Sequence, residues 1–234
     1  MPRITLVKLV DYRKWTEELG FDREGLIQIK QAEIYRWIQE RAWSMGFFAM
    51  PLMYDHYLIL TNGISREELI DLAEYIEEKT PCSIKVVSIT HKNPAIAQLY
   101  ASRILQVSEN KITYIDGEDS VNVIAHIDLN DITSLINETS IYEAYLEVNM
   151  LLNQLSSQIY EQNGLVSYLG GDNFVAILPS ENYEKLITRI PGCLKVGVGV
   201  SINPREAFKL AAEALTRIRK GYVKTNYLII QSSS

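Results

Sequence analysis

Tyr168-Leu169-Gly170-Gly171-Asp172-Asn173-Phe174-Val175-Ala176-Ile177 sets an Asp at a turn between two apolar stretches, with two glycines before it. Such a stretch reads as a β-hairpin. The same plan occurs earlier as Leu52-Met53-Tyr54-Asp55-His56-Tyr57-Leu58-Ile59-Leu60, and Asp55 precedes Asp172 by 117 residues (172 − 55). Each hairpin is preceded by an apolar run ending in Asp: Leu6-Val7-Lys8-Leu9-Val10-Asp11, and Asn122-Val123-Ile124-Ala125-His126-Ile127-Asp128. The spacing from Asp11 to Asp128 is again 117, and Thr16 and Thr133 keep it. Downstream, Asn93-Pro94, Ala97, Ala101 and Leu105 recur as Asn203-Pro204, Ala207, Ala211 and Leu215, now 110 apart. Repeats on this scale are the mark of a tandem duplication.

The duplication divides the chain into a unit at 1–107, a polar linker at 108–120 and a second unit at 121–234. Each unit has the same coarse order. A strand (4–11, 121–128) leads to a long helix (about 24–45, 140–162), a hairpin (47–61, 165–178), a second helix (65–79, 181–190) and a further strand (83–90, 193–202). Leu26, Ile27, Ile34 and Ile38 mark the apolar face of the first long helix; Leu146, Met150, Leu151, Leu155 and Ile159 mark that of the second. Ser65-x-x-Glu68 is a capping box, and Asn93 and Asn203 are N-caps followed by Pro. The order β-α-β-β-α-β is ferredoxin-like. The fold class is therefore α+β, with two tandem ferredoxin-like domains, and Tyr227-Leu228-Ile229-Ile230 adds a last strand to the second sheet.

The 234 residues carry 23 Lys+Arg against 29 Asp+Glu, a net charge of −6, with 47% apolar residues. That composition belongs to a globular protein rather than a disordered one. The acidic balance argues against nucleic acid as a partner held through its phosphates. No apolar run reaches the roughly 18–20 residues a membrane span needs. Two cysteines, Cys82 and Cys193, and three scattered histidines, His56, His91 and His126, lack zinc-type spacing. A cytoplasmic protein without disulfides is expected.

In a βαββαβ sheet the first strand neighbours the hairpin, which brings Asp128 beside Asp172. Converging carboxylates repel one another unless a cation lies between them. All-oxygen ligands favour Mg²⁺ or Mn²⁺, which complete their shells with water and phosphate oxygens. The pair therefore points to a nucleoside triphosphate or a similar ligand. Turn chemistry alone also explains an Asp at a hairpin. His126 lies two residues before Asp128 and could serve the site or simply fill it. Trp15, Trp37 and Trp43 read as core or interface residues, and Glu74, Glu77 and Glu78 as a solvated helix face. Gly197-Val198-Gly199 lacks the spacing and the following helix of a dinucleotide fingerprint.

Gly170-Gly171-Asp172-Asn173, the Asp-terminated strand and the βαββαβ order resemble the palm domains of nucleotidyl cyclases and GGDEF proteins. Ala125-His126-Ile127-Asp128-Leu129-Asn130-Asp131-Ile132-Thr133, Thr61-Asn62-Gly63-Ile64 and Val196-Gly197-Val198-Gly199 narrow this. Together they resemble the archaeal GTP cyclohydrolase III family over nearly the whole chain. The resemblance implies tandem palm domains that open the imidazole ring of GTP to a formylamino-pyrimidine ribotide and release phosphate. It implies two Mg²⁺ ions assisted by a monovalent cation such as K⁺, and a homo-oligomer, dimer or tetramer. Asp128 and Asp172 become catalytic, and with the Leu129 carbonyl they become the metal ligands. Asn130, Asp131, Thr133, Gly171 and Asn173, with Asp11, Trp15 and Asp55 of the first copy, become substrate-binding residues. The first copy departs from the family's Asp-Asn-Tyr-Gly-Pro-Trp-Thr, reading Asp11-Tyr12-Arg13-Lys14-Trp15-Thr16. Two alternatives stay open: a palm-type nucleotidyl or dinucleotide cyclase, and a GTP-binding sensor without turnover.

Overall fold

The computed structural model describes residues 1–232. The chain forms two compact units, one from Pro2–His91 and Ile96–Asp119, the other from Met1, Lys92–Ala95 and the residues from Ser120 onward. The first unit runs β1 (Arg3–Leu9), α1 (Tyr12–Glu18), α2 (Glu24–Ser44), β2 (Phe48–Met53), β3 (His56–Leu60), α3 (Arg66–Lys79), β4 (Ile84–Thr90), α4 (Pro94–Val107), β5 (Ile112–Tyr114). The second runs β6 (Asn122–Leu129), α5 (Ile132–Glu138), α6 (Ile141–Glu161), β7 (Leu165–Gly170), β8 (Asn173–Leu178), α7 (Tyr183–Ile187), β9 (Leu194–Ser201), α8 (Pro204–Arg219), β10 (Tyr227–Gln231).

The two sheets have one topology, β2-β3-β1-β4-β5 and β7-β8-β6-β9-β10. The central strand of each is antiparallel to its two neighbours, and the last strand joins in parallel. This is the tandem palm-like α+β arrangement that the repeat implies, with two additions. A seven-residue helix, α1 or α5, follows each central strand, and a fifth strand closes each sheet. The fifth strand of the first sheet, β5, lies inside the polar stretch read as a linker, and its three residues are too few for a periodic signal.

Residues beyond β5 are fastened to the first unit by Arg3, whose side chain is 1% exposed and whose Nε donates to Asp119 Oδ1 at 3.0 Å. Its Nη1 and Nη2 donate to the carbonyls of Ile115 and Gly117 at 3.0 and 3.1 Å, and its guanidinium lies 4.5 Å from the Tyr114 ring centre. Every donor of this buried cation faces an acceptor or a ring, which is what a buried charge requires.

Each sheet buries one face under its long helix. In the first unit Ile34, Ile38 and Ala42 of α2 pack on Val7, Ala49 and Ile59. In the second, Val148, Leu151, Leu155 and Ile159 of α6 pack on Ala125, Ile127 and Ala176. Burying one such side chain contributes about 1.5–3 kcal/mol. The α6 stripe is Ala144, Val148, Leu151, Leu155, Ile159. Leu146 and Met150, expected on it, are 44% and 61% exposed, as is Leu26 of α2 at 53%. The Ser65–Glu68 capping box forms in full, and Asn203 Oδ1 accepts from Glu206 N at 2.9 Å.

Strand register corrects the correspondence between the copies. Asp128 faces Asn173 on one side and Lys195 on the other. The residue in that place in the first sheet is Lys8, facing His56 and Lys85. The central strands therefore correspond at an offset of 120 (128 − 8), while the hairpins keep 117. Asp11 matches Asp131, and both hold left-handed backbone with φ 57°. The extra three residues of the first copy sit between its first two helices, where 19–23 stands against 139–140. The equal spacing of Asp11 and Asp128 thus pairs positions that are not equivalent in the fold.

Candidate functional site

The second sheet brings Asp128 and Asp172 to one edge. Asp128 is the penultimate residue of β6, and Asp172 sits in the turn between β7 and β8. Gly170 and Gly171, at φ 116° and 61°, make that turn, since left-handed backbone suits glycine. The Asp172 carbonyl accepts from Leu129 N at 3.3 Å, and the Cys193 carbonyl accepts from Asn130 N at 3.1 Å. Those two bonds fix the end of β6 between the hairpin and the approach to β9.

A polar chain runs across the edge. Asn173 Nδ2 donates to Asp172 Oδ1 at 2.8 Å. Asn173 Oδ1 bonds His126 Nε2 at 3.0 Å and accepts from Arg219 Nη2 at 3.3 Å. Arg219 Nε donates to Asp128 Oδ2 at 2.8 Å, while its Nη2 donates to Asp128 Oδ1, completing a two-pronged fork. Such forks are the strongest ordinary carboxylate contacts. The Asp128 side chain is 7% exposed, that of Arg219 43%.

Burial, and next the charge of Asp128, push the Asp172 carboxyl above the usual range. Burial also holds the His126 imidazole below its ordinary value, outweighing the bond to Asn173. The His126 ring stacks on Phe208 at 5.6 Å, and its Nδ1 is buried without a partner.

The residues expected from sequence therefore divide. Asp128, Asp172 and Asn173 meet, with Leu129 and Gly171 beside them. Asn130 follows on the turn, its Oδ1 buried and unpartnered, and Asp131 and Thr133 open α5. Asp11, Trp15 and Asp55 belong to the first unit. Trp15 packs partly buried against its core, tilted on Tyr12 at 5.3 Å. Asp55 Oδ1 bonds His56 Nδ1 at 2.7 Å. Arg219 was not foreseen. Its signal was present, because Ala207, Ala211, Leu215 and Arg219 follow one another at four-residue steps along α8.

The donor set suits a hard cation. Asp128, Asp172 and the nearby backbone carbonyls offer only oxygen, and the half-buried Asp172 lies beside a second carboxylate that the Arg219 fork neutralises first. No cluster of three or more His, Cys, Asp or Glu able to hold a metal occurs among the described residues, so an ion here would lean on water and ligand oxygens.

The GTP cyclohydrolase III family model matches residues 1–232. GTP cyclohydrolase III of Saccharolobus islandicus is 35% identical over 226 residues, covering 95% of this chain and 97% of that protein. GTP cyclohydrolase III of Aeropyrum pernix is 34% identical over 224 residues, covering 93% and 92%. Among solved structures, the active GGEEF domain of a diguanylate cyclase from Vibrio cholerae aligns with 61% of this chain and 92% of its own, at a TM-score of 0.40 and 12% identity. No described helix is long and apolar enough to cross a membrane. A match along the whole length and relatives at this identity place the chain in the GTP cyclohydrolase III family.

Proposed function

We propose that this chain is a magnesium-dependent GTP cyclohydrolase that opens the guanine imidazole ring to a formylamino-pyrimidine ribotide and releases phosphate. The observation that carries the reading is the pair of partly buried carboxylates, Asp128 and Asp172, at the end of β6 and its hairpin in a chain that the family model matches over residues 1–232. Asp128, Asp172 and the Leu129 carbonyl would hold the metal. A magnesium ion held there would supply charge neutralisation for triphosphate oxygens and would lower the pKa of a bound water.

The rest falls to the chain's own groups. The Arg219 fork holds the Asp128 carboxylate in one orientation. It is also the cation nearest to arriving phosphates, so giving up one Asp128 oxygen would free it to bind them. Asn173 ties Asp172, His126 and Arg219 into one network, which keeps both carboxylates in register. His126, held neutral by burial, bonds Asn173 through Nε2 and so fixes the amide's orientation.

The fork also supports a second reading, GTP binding without turnover, because it occupies both Asp128 oxygens. Incubation with GTP, Mg²⁺ and K⁺, followed by mass analysis, separates the two. The ring-opened ribotide and phosphate are expected, and Asp128→Asn and Asp172→Asn should each lower turnover about a hundredfold or more with the fold intact. Unchanged GTP means a sensor, and a cyclic or dinucleotide product means a cyclase. Parent-like turnover in both variants would remove the carboxylates from the chemistry.

A further inference from the structure

A second feature of the C-terminal unit lies away from the hairpin. A cavity of about 400 Å³ opens where the end of α6, the end of β8 and the start of α7 meet the short segment at 92–95. The segment is tied in by Ala95 N, which donates to the Asn163 carbonyl at 3.0 Å, and by the Lys92–Glu181 ion pair at 3.4 Å. Three cations line the cavity, Lys92, Lys185 and Arg189, against the single carboxylate of Glu181. The chain as a whole carries a net charge of −6, so this excess of positive charge runs against its composition.

Lys185 and Arg189 stand four residues apart on the turn of α7 and its continuation, where side chains are neighbours. Like charges at that spacing destabilise a helix. Neither forms an ion pair among the described residues, and a multiply charged anion would relieve their repulsion. The amides of Gln162, Asn163 and Asn182 complete the wall with groups that donate to oxygen.

A smaller cavity of about 220 Å³ adjoins the first and shares Gln162, Leu186 and Arg189 with it. Its other walls are the apolar Leu155, Ile159 and Ile190 on one side and the polar Gln158 and Glu161 on the other. A basic chamber beside a smaller one with an apolar side suits a molecule with a charged end and an uncharged body. From these two chambers we infer a binding site for a small phosphorylated molecule, its phosphate among Lys92, Lys185 and Arg189 and its uncharged part against Leu186 and Ile190. The hairpin carboxylates lie at the opposite end of β8, whose six residues span about 20 Å. The site is therefore separate from the one assigned to GTP and does not rest on the reaction proposed there.

The test is calorimetric titration of the full chain with inorganic pyrophosphate and with adenosine 5′-monophosphate, in EDTA so that no divalent ion serves the hairpin carboxylates. Both probes should bind, the nucleotide more tightly, and both should weaken as salt is raised. The double variant Lys185→Glu/Arg189→Glu should lose tenfold or more in affinity while keeping the parent's circular dichroism spectrum. Lys92→Ala should lose less, and Asp172→Asn nothing. Absence of heat with either probe, equal affinity in the double variant, or affinity that falls with Asp172→Asn would each overturn the site.

Discussion

At Asp172 and His126 one cause acts in opposite directions on the pKa. Burial disfavours charge, so the carboxyl is pushed up and the imidazole down, and both are drawn toward neutrality. The consequences for stability have opposite signs. Asp172 has a native pKa above its unfolded value of 3.8, so its contribution is fully present below that pH and is lost as pH rises through the raised value. His126 has a native pKa below 6.5, so stability falls as pH drops beneath 6.5 toward the lowered value. At neutral pH, then, Asp172 is ionised at a cost to the fold, a strain suited to a group that waits for a cation. Asp172→Asn should raise the thermal midpoint of the metal-free protein at pH 7 even as turnover disappears. The gain should shrink as pH falls through the raised value toward 3.8, because the parent's carboxyl takes up its proton over that range. Melting curves of parent and variant across that range check it, and a variant that melts lower at pH 7 would refute it.

At the scale of elements, α8 decides where Arg219 can reach. The helix lies so close on β9 that a Cβ on Gly199 would fall 1.9 Å from the Ala207 carbonyl oxygen, and one on Gly197 2.1 Å from that of Ala211. Gly197 and Gly199 on β9 and the Ala207, Ala211, Leu215 stripe of α8 are thus two halves of one contact. Gly199→Ala must push α8 off the sheet, and overpacking of this kind costs about 1–3 kcal/mol. Chemical denaturation should show that loss, and GTP turnover should fall too, because Arg219 ends the displaced helix. An Ala variant of parental stability would mean that the helix has room to spare. The sequence made much of this legible. Periodicity placed the long helices within a residue or two, because a 21-residue helix repeats its buried positions at three- and four-residue steps several times, as Ile27, Ile34 and Ile38 do in α2 and Leu151, Leu155 and Ile159 in α6. It did not show α1, α5 or β5, which have only seven, seven and three residues and are held by tertiary contacts rather than by a pattern of their own. Asp128 and Asp172 were legible because each ends or turns a strand. Arg219 lies 91 residues from Asp128, and only folding brings them together.

For the molecule as a whole, duplication supplied two sheets of one topology, but the paired carboxylates sit in just one of them. The first copy retains the hairpin Asp as Asp55 and sets Lys8 where the second has Asp128. The carboxylate of the fork is therefore replaced by a cation in the first copy. Arg219 ends α8, whereas the residue 110 positions earlier, Glu109, lies two residues beyond the end of α4 at Val107. The first copy thus sets an ammonium where the second has a carboxylate able to hold a metal, and a strongly hydrated ammonium repels a divalent ion. Metal binding should then follow one copy. In a titration with Mn²⁺, read by the loss of the free ion's paramagnetic resonance signal, Asp172→Asn should weaken or abolish tight binding. Asp55→Asn should leave both affinity and stoichiometry unchanged. Added GTP should tighten Mn²⁺ in the parent and in Asp55→Asn alike, since phosphate oxygens complete the shell that two carboxylates begin. If Asp55→Asn removes the ion instead, the first sheet holds the metal, and the Lys8 substitution does not have the electrostatic consequence drawn from it.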